Sequence, residues 1–277
     1  MRVFSWNDIE NFQNSRNPEY VSFFQCGSAL TIGGFDGPHR GHEVLCDAVL
    51  ASKRELSSLK TGVITFNSPP KAKNGIDFPG EVSTLSLRLS WFKHKGFDFA
   101  VVIDFSHKFS TMSGTDFLSI LYMSCAMRYI TVGDDFKCGY KGETGIRELR
   151  QFSETRGISV TVIHTVSISG LRVSSSAIRQ AVAEGQMKYA EQLLGRPYAI
   201  DGEALVWKHE LKGDIHTFVI DNKAATQVLP PEGRYDVSVL LSDMTVFNTV
   251  CCCENDTLRL SVSHPSALIS VRTIEFI

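Results

Sequence analysis

The sequence predicts an open, doubly wound parallel α/β sheet followed by a small antiparallel β-barrel. Short apolar runs alternate with helical segments between residues 29 and 163, the order of strand–helix–strand units. Beyond residue 198 the pattern changes to β-rich runs separated by turns such as Pro230-Pro231-Glu232-Gly233. The first strand runs directly into Gly33, Gly34 and Gly37 and then a helix, a junction that places a ligand site at the sheet's carboxyl edge.

Residues 1–25 are polar and aromatic and receive no role. Residues 29–32 form a buried strand and 43–56 a helix. A second strand at 62–66 is stopped by Pro69 and Pro70, leaving a loop at its carboxyl end. A helix at 85–95 carries Leu85, Leu89 and Phe92 on its apolar side, and 97–103 is the third strand. Ser113 caps a helix at 113–122, with Asp116 in its first turn, where the dipole favours an anion. A fourth strand (127–132), a helix (145–155) and a fifth strand (159–163) complete the sheet. A serine-led helix ends near Gly185, and another covers 187–194. Strands are expected at 199–207, 216–220, 235–241, 245–251, 257–262 and 270–276. The domain boundary is set at 1–186 and 187–277.

The 277 residues suffice for two modest domains, and 43% apolar content is ordinary for a globular protein. A net charge of −2 offers no large basic field for nucleic acid, and no apolar run reaches the roughly 20 residues of a membrane span. Residues 1–10 lack a signal-peptide pattern. The seven cysteines, an odd number with Cys251, Cys252 and Cys253 in a row, form no CxxC pair and point to reduced thiols in the cytoplasm. Adjacent strand residues face opposite ways, which argues against zinc at the cysteine triplet, and no protein metal site is expected.

Two stretches carry chemistry. His39 and His42 share one side of a first helical turn, beside free backbone N–H groups that favour an anion, and their ring N–H groups can donate to phosphate oxygens. Farther on, Ser174, Ser175 and Ser176 open a helix bracketed by Arg172 and Arg179, whose guanidinium forks suit phosphate. Asp134 and Asp135 end the fourth strand, where carboxylates suit Mg²⁺ or ribose hydroxyls or simply form a turn.

The stretch Gly34-Phe35-Asp36-Gly37-Pro38-His39-Arg40-Gly41-His42 resembles the HxGH signature of the nucleotidyltransferase superfamily. Its Gly-x-Phe-Asp-Gly-x-His form is similar to the bacterial FAD synthetases, usually bifunctional riboflavin kinase/FMN adenylyltransferases. The stretch from Val173 to Arg179 resembles the second signature, Ile-Ser-Ser-Thr-x-x-Arg, with Ser176 in the threonine place and Ala177 in the usual arginine place. Thr65-Phe66-Asn67-Ser68-Pro69 is similar to the family's Thr-Phe-x-Pro-x-Pro loop, and the stretch from Gly133 to Gly139 to its Val-Gly-x-(Asp/Asn)-Phe-x-Phe-Gly loop, with Cys138 replacing an aromatic.

The resemblance implies a Rossmann-like nucleotidyltransferase domain that uses ATP and FMN, with substrate-bound Mg²⁺, to make FAD and pyrophosphate. It casts His39, His42, Arg172, Ser175 and Arg179 as the catalytic set. Gly34, Phe35, Asp36, Gly37, Asp135, Ser174 and Ser176 would meet ATP; Phe66, Asn67, Pro69 and Phe136 would meet FMN.

The stretches Gly195-Arg196-Pro197-Tyr198 and Leu229 to Tyr235 resemble landmarks of the riboflavin kinase domain, but the segment between them fails. Lys212-Gly213 is a remnant of its glycine-rich loop, Thr217 falls in its threonine place, and Val219 stands where a metal-holding Asn is required. The catalytic Glu segment cannot be placed before Ile277, so the expectation is an adenylyltransferase without kinase activity. Two other readings stay open: an HxGH enzyme acting on another phosphate, such as phosphopantetheine or nicotinamide mononucleotide, and a flavin-binding or interaction protein without catalysis.

Overall fold

A computed structural model describes residues 1–15, 17–54, 57–68, 78–168, 170–264 and 269–277. The chain forms two compact units. The first comprises Met1–Phe35, Gly41–Lys73 and Leu89–Ser167; the second comprises Asp36–Arg40, Asn74–Arg88 and Ile168–Ile277.

The first unit is built on a parallel six-stranded sheet of β1 (Arg2–Ser5), β2 (Ser28–Ile32), β3 (Lys60–Phe66), β4 (Phe99–Ile103), β5 (Met127–Gly133) and β6 (Ser159–Ile163). The strand order is β1-β4-β3-β2-β5-β6, and every pairing is parallel. All five residues of β2 are buried, as a central strand covered on both faces requires. Leu30 and Ile64 point into one core with Phe117, Leu121 and Leu149. Ala29 and Val63 point into the other with Cys46, Val49 and Phe92. Helices α1 (Trp6–Ser15), α2 (Pro18–Phe24), α6 (Gly114–Ser124) and α7 (Ile146–Glu154) therefore cover one face. The other is covered by α3 (Arg40–Ala51) and the second half of α4 (Leu85–Lys95); a short α5 (His107–Ser110) precedes α6.

The first 25 residues do have a structural role. β1 pairs with β4, and Phe4 meets Tyr20, Phe23, Phe24 and Phe99 at ring separations of 5.0 to 6.1 Å. Helix α3 starts three residues earlier than expected and ends at Ala51, where Ser52–Arg54 tightens into a 3₁₀ turn. The strand expected from residue 97 begins at Phe99, because Gly96 (φ +94°) closes α4 and the Phe97 N–H donates back to the Phe92 carbonyl at 3.2 Å.

The second unit carries an antiparallel, barrel-like sheet of seven strands. These are β9 (Tyr198–Asp201), β10 (Lys208–Lys212), β11 (Ile215–Asp221), β12 (Gly233–Leu241), β13 (Val246–Glu254), β14 (Thr257–Ser263) and β15 (Val271–Phe276), in the order β10-β11-β14-β13-β12-β15-β9. A small ribbon, β7 (Ser167–Ile168) with β8 (Leu171–Arg172), leads into α8 (Ser175–Ala183) and α9 (Met187–Leu194). The strand expected over 199–207 stops at Asp201, whose carboxylate accepts the Glu203 N–H at 3.2 Å and caps a 3₁₀ turn. β10, which the sequence did not reveal, is exposed at all five positions. All seven cysteines are free thiols; Cys251 and Cys253 are buried and Cys252 is only half-buried. Among the described residues no helix is long and apolar enough to cross a membrane.

Candidate active site

The second unit contains the Asp36–Arg40 turn, the 78–88 segment and the start of α8. Gly37 adopts φ +63°, and a Cβ there would lie 2.2 Å from a Val82 methyl, so only glycine fits. Its N–H donates to Ser83 Oγ at 2.9 Å. Asp36 is buried and engaged by protein groups. Its Oδ1 accepts the N–H groups of Val82 (2.8 Å) and Ser83 (3.1 Å), and its Oδ2 accepts Arg179 Nη2 (2.9 Å). Ser175 Oγ donates to the Asp36 carbonyl at 2.6 Å. The two signature stretches are thus hydrogen-bonded to each other.

Ser174 caps α8 by accepting the Ala177 N–H at 3.2 Å. Ala177 takes part through its backbone, so the missing arginine leaves this cap intact. Arg179 lies over the Phe78 ring at 5.1 Å, and its buried Nε has no hydrogen-bond partner among the described residues. That donor faces no protein acceptor and suits a bound anion. Ser176 Oγ lies 3.5 Å from Arg179 Nη1.

His39 directly precedes α3 and is 6% exposed. Burial, reinforced by the Arg196 and Arg172 cations, pushes its pKa down to about 4, so the ring is neutral at pH 7. A neutral imidazole still offers one N–H to a phosphate oxygen. Arg196 donates to the Pro38 carbonyl, and Arg40 Nε donates to the Gln192 carbonyl at 3.0 Å. The turn is therefore anchored on both sides of His39.

The first unit holds the remaining candidates. His42 lies in the first turn of α3, its ring 4.9 Å from that of Phe35. Phe35 is buried at φ +48° and also packs edge-on against Phe92 at 5.3 Å. The Gly34 carbonyl accepts Thr65 Oγ1 at 3.2 Å. Phe66, at the end of β3, meets Phe105 and Phe109 at 6.0 and 6.2 Å, and the Asn67 N–H donates to the Ile103 carbonyl at 2.8 Å. Pro69 lies outside the described residues.

Asp134 and Asp135 follow β5. Asp134 accepts the Thr165 N–H and hydroxyl, both at 3.1 Å, which hold its carboxyl below the usual range. Asp135 keeps Oδ1 close to Gly133, 3.1 Å from where a Cβ on that glycine would sit. Phe136 and Cys138 pack against the first unit's core, and Cys138 exchanges backbone hydrogen bonds with Thr144 at 2.9 and 3.0 Å. Burial pushes the Cys138 thiol up to about 12, so it serves as an apolar filler where an aromatic is usual.

Sequence reasoning did not anticipate Arg196, Phe78, Ser83 or Arg88. Arg196 follows Gly195, the left-handed cap of α9, and the Gly195-Arg196-Pro197-Tyr198 stretch marked it as a boundary rather than as a site residue. Arg88 is fully buried, its pKa lowered by desolvation, with Glu81 and Asp36 opposing that shift.

The parallel sheet of the first unit defines a Rossmann-like nucleotidyltransferase fold, and within the second unit the glycine turn is hydrogen-bonded to the serine-capped arginine helix. The chain belongs to the FAD synthetase family, whose pattern it matches over residues 22–177. It is 33% identical over 218 residues to the bifunctional riboflavin kinase/FMN adenylyltransferase of Escherichia coli (strain K12), covering 78% of this chain and 69% of that one. The enzyme of the same description from Haemophilus influenzae is 29% identical over 252 residues, covering 90% and 80%. In fold, the chain is similar to the crystal structure of a macrolide-efflux protein from Streptococcus pneumoniae, with a TM-score of 0.74 at 22% identity over 90% of this chain and 85% of that one.

Proposed function

We propose that this protein is an FMN adenylyltransferase that converts FMN and MgATP to FAD and pyrophosphate in the cytoplasm, without riboflavin kinase activity. The observation that carries this reading is the bonding of Asp36 to Arg179 and Ser175, which joins the two phosphate-facing signatures. In the reaction an FMN phosphate oxygen attacks the α-phosphorus of ATP. The bond to the bridging oxygen breaks, and pyrophosphate leaves with that electron pair. The nucleophile is already ionised at neutral pH, so no covalent enzyme intermediate is required. Rate enhancement comes from in-line positioning and from donors aimed at charge on the transferring phosphate.

His39 and His42 donate ring N–H groups to the phosphates, His39 in its neutral form. Arg179 Nε and Arg172 hold the triphosphate tail, together with the amides at the start of α8. Ser175 and Asp36 position the turn, since both are committed to bonds within the protein. Among the described residues there is no cluster of three or more metal-ligating side chains. Mg²⁺ enters as MgATP, held by phosphates and water. Phe66, Asn67 and Phe136 are assigned to the flavin, and Asp135 to the nucleotide.

Absence of kinase activity is supported by the β10–β11 hairpin. Lys212 pairs with Ile215 across Gly213 and Asp214, so the remnant of the expected phosphate loop is a two-residue turn. The test is incubation of purified protein with FMN, ATP and Mg²⁺, followed by chromatography. FAD and pyrophosphate in equal amounts are expected; bound FMN without FAD would replace this reading with that of a flavin-binding protein.

A further inference from the structure

We infer that the β-sheet of the second unit serves as the scaffold of the adenylyl-transfer turn, with Gln227 as its positioning residue. The inference rests on the adenylyltransferase reading above and gives the kinase-degenerate sheet a role in it.

Gln227 is 5% exposed, and its side-chain amide ties its own segment to two others, residues 81–83 and β9. Nε2 donates to the carbonyls of Val82 (3.1 Å) and Ala199 (3.0 Å), and Oε1 accepts the Asp201 N–H (2.8 Å). The backbone repeats the link. The Glu81 N–H donates to the Thr226 carbonyl at 2.8 Å, and the Val228 N–H donates to the Glu81 carbonyl at 2.9 Å, a parallel bridge. Gly80, at φ +111°, permits this approach: a Cβ there would lie 2.6 Å from the Val228 nitrogen. Thr84 Oγ1 donates to Asp201 Oδ2 at 2.5 Å, fixing the far end of the same segment to β9.

The segment so held is the one that holds the catalytic turn. Val82 and Ser83 give their N–H groups to Asp36, and Ser83 Oγ accepts the Gly37 N–H. A continuous path of hydrogen bonds therefore runs from β9 through Gln227 to residues 81–83 and on to Asp36 and Gly37, two residues before His39. Nothing in this path uses the β10–β11 hairpin where kinase chemistry fails. Loss of that chemistry leaves the scaffold intact. Gln227 acts through Val82 and Asp36, so its removal misplaces donors rather than deleting one. Misplacement of about 1 Å at such a site costs up to roughly 10²-fold in rate.

The test uses the full chain and four proteins: wild type, Gln227→Leu, Gln227→Glu and Val237→Ala. Val237 is a fully buried sheet residue outside the path and serves as the control for general destabilisation. Amide hydrogen exchange over residues 36–42 and 79–84 is measured beside steady-state FAD synthesis. Gln227→Leu is expected to speed exchange in both peptides at least tenfold and to lower kcat more than it raises the KM for ATP. Gln227→Glu sets a carboxylate against two carbonyls, so its activity should recover as pH falls and the group regains a proton. Val237→Ala should lower Tm without either change. Unaltered exchange in Gln227→Leu and Gln227→Glu, or the same exchange pattern in Val237→Ala, overturns the inference. A wild type that makes no FAD sinks the adenylyltransferase reading instead, while the exchange data still decide whether Gln227 holds the turn.

Discussion

Arg179 and Asp36 form an ion pair of 2.9 Å between segments 143 residues apart, with side-chain exposures of only 11% and 5%. Breaking such a pair from one side strands a buried charge, at a cost of roughly 3–5 kcal/mol. The pair occupies Arg179 Nη2 and leaves Nε without a protein acceptor among the described residues.

Arg179→Lys tests that division of labour. Lysine keeps the charge and reaches one acceptor, but it loses the planar fork. The KM for ATP is expected to rise about tenfold in steady-state assays, with a modest fall in Tm. Arg147→Lys is the control, because Arg147 is mostly exposed and, among the described residues, is paired with its neighbour Glu148. Equal effects on the KM at the two positions would remove Arg179 from ATP binding and leave it a structural partner of Asp36.

His42→Ala should slow adenylyl transfer by roughly 10²-fold, the scale of one lost transition-state donor. ATP affinity should change less than kcat, because the hydrogen bond strengthens as charge moves onto the departing pyrophosphate. Circular dichroism separates this from unfolding, since Phe35 retains its packing against Phe92. Wild-type turnover in the double variant His39→Ala/His42→Ala would remove both residues from the mechanism.

The doubly wound sheet was legible because its central strands, such as β2 and β3, are short, continuous apolar runs. The edge strand β6 also falls at residues 159–163 as read, and α9 of the second unit at 187–194. Local chemistry also gave the Ser113 cap, whose hydroxyl accepts the Asp116 N–H at 3.0 Å. β1 and β10 escaped for opposite reasons. β1 is a four-residue edge strand with only Phe4 buried, and β10 has no buried residue, so neither alternates visibly. The signature stretches named residues of the candidate site, but not what holds them. The bonds from Gln227 to Val82 and from Arg196 to Pro38 span 145 and 158 residues, and no spacing rule connects such positions.

The depressed His39 pKa predicts how stability depends on pH. The unfolded chain takes up a proton near pH 6.5, while the folded chain resists until about pH 4. Between those values the unfolded state binds more protons, so stability falls as pH drops through that window and levels off below it. The full shift corresponds to about 3 kcal/mol. Urea denaturation of wild type and His39→Gln at intervals from pH 4 to pH 7.5 should show a shallower acid slope in the variant. Parallel slopes would mean that His39 titrates normally in the folded protein.

Riboflavin and ATP should yield no FMN. Phosphorylating the ribityl 5′-hydroxyl requires a phosphate cradle, a metal beside the phosphates and a base for a neutral nucleophile. The cradle is absent from the hairpin: β10 and β11 pair continuously from Lys208↔Val219 to Lys212↔Ile215, and only Gly213 and Asp214 remain for a turn. Thr217 keeps a hydroxyl, but it lies 3.1 Å from Ser261 Oγ on the neighbouring strand. Val219, which the resemblance sets in the place of a metal-holding Asn, has no side-chain donor atom. FMN already carries the ionised phosphate that riboflavin lacks, so one protein can be competent for the first substrate and inert toward the second. Losing the cradle and a metal ligand together should abolish phosphorylation rather than slow it. Mass spectrometry after a long incubation with riboflavin, ATP and Mg²⁺ decides the matter. FMN or FAD above a no-enzyme control would show that the hairpin region is not where phosphorylation takes place and would return kinase activity to this chain.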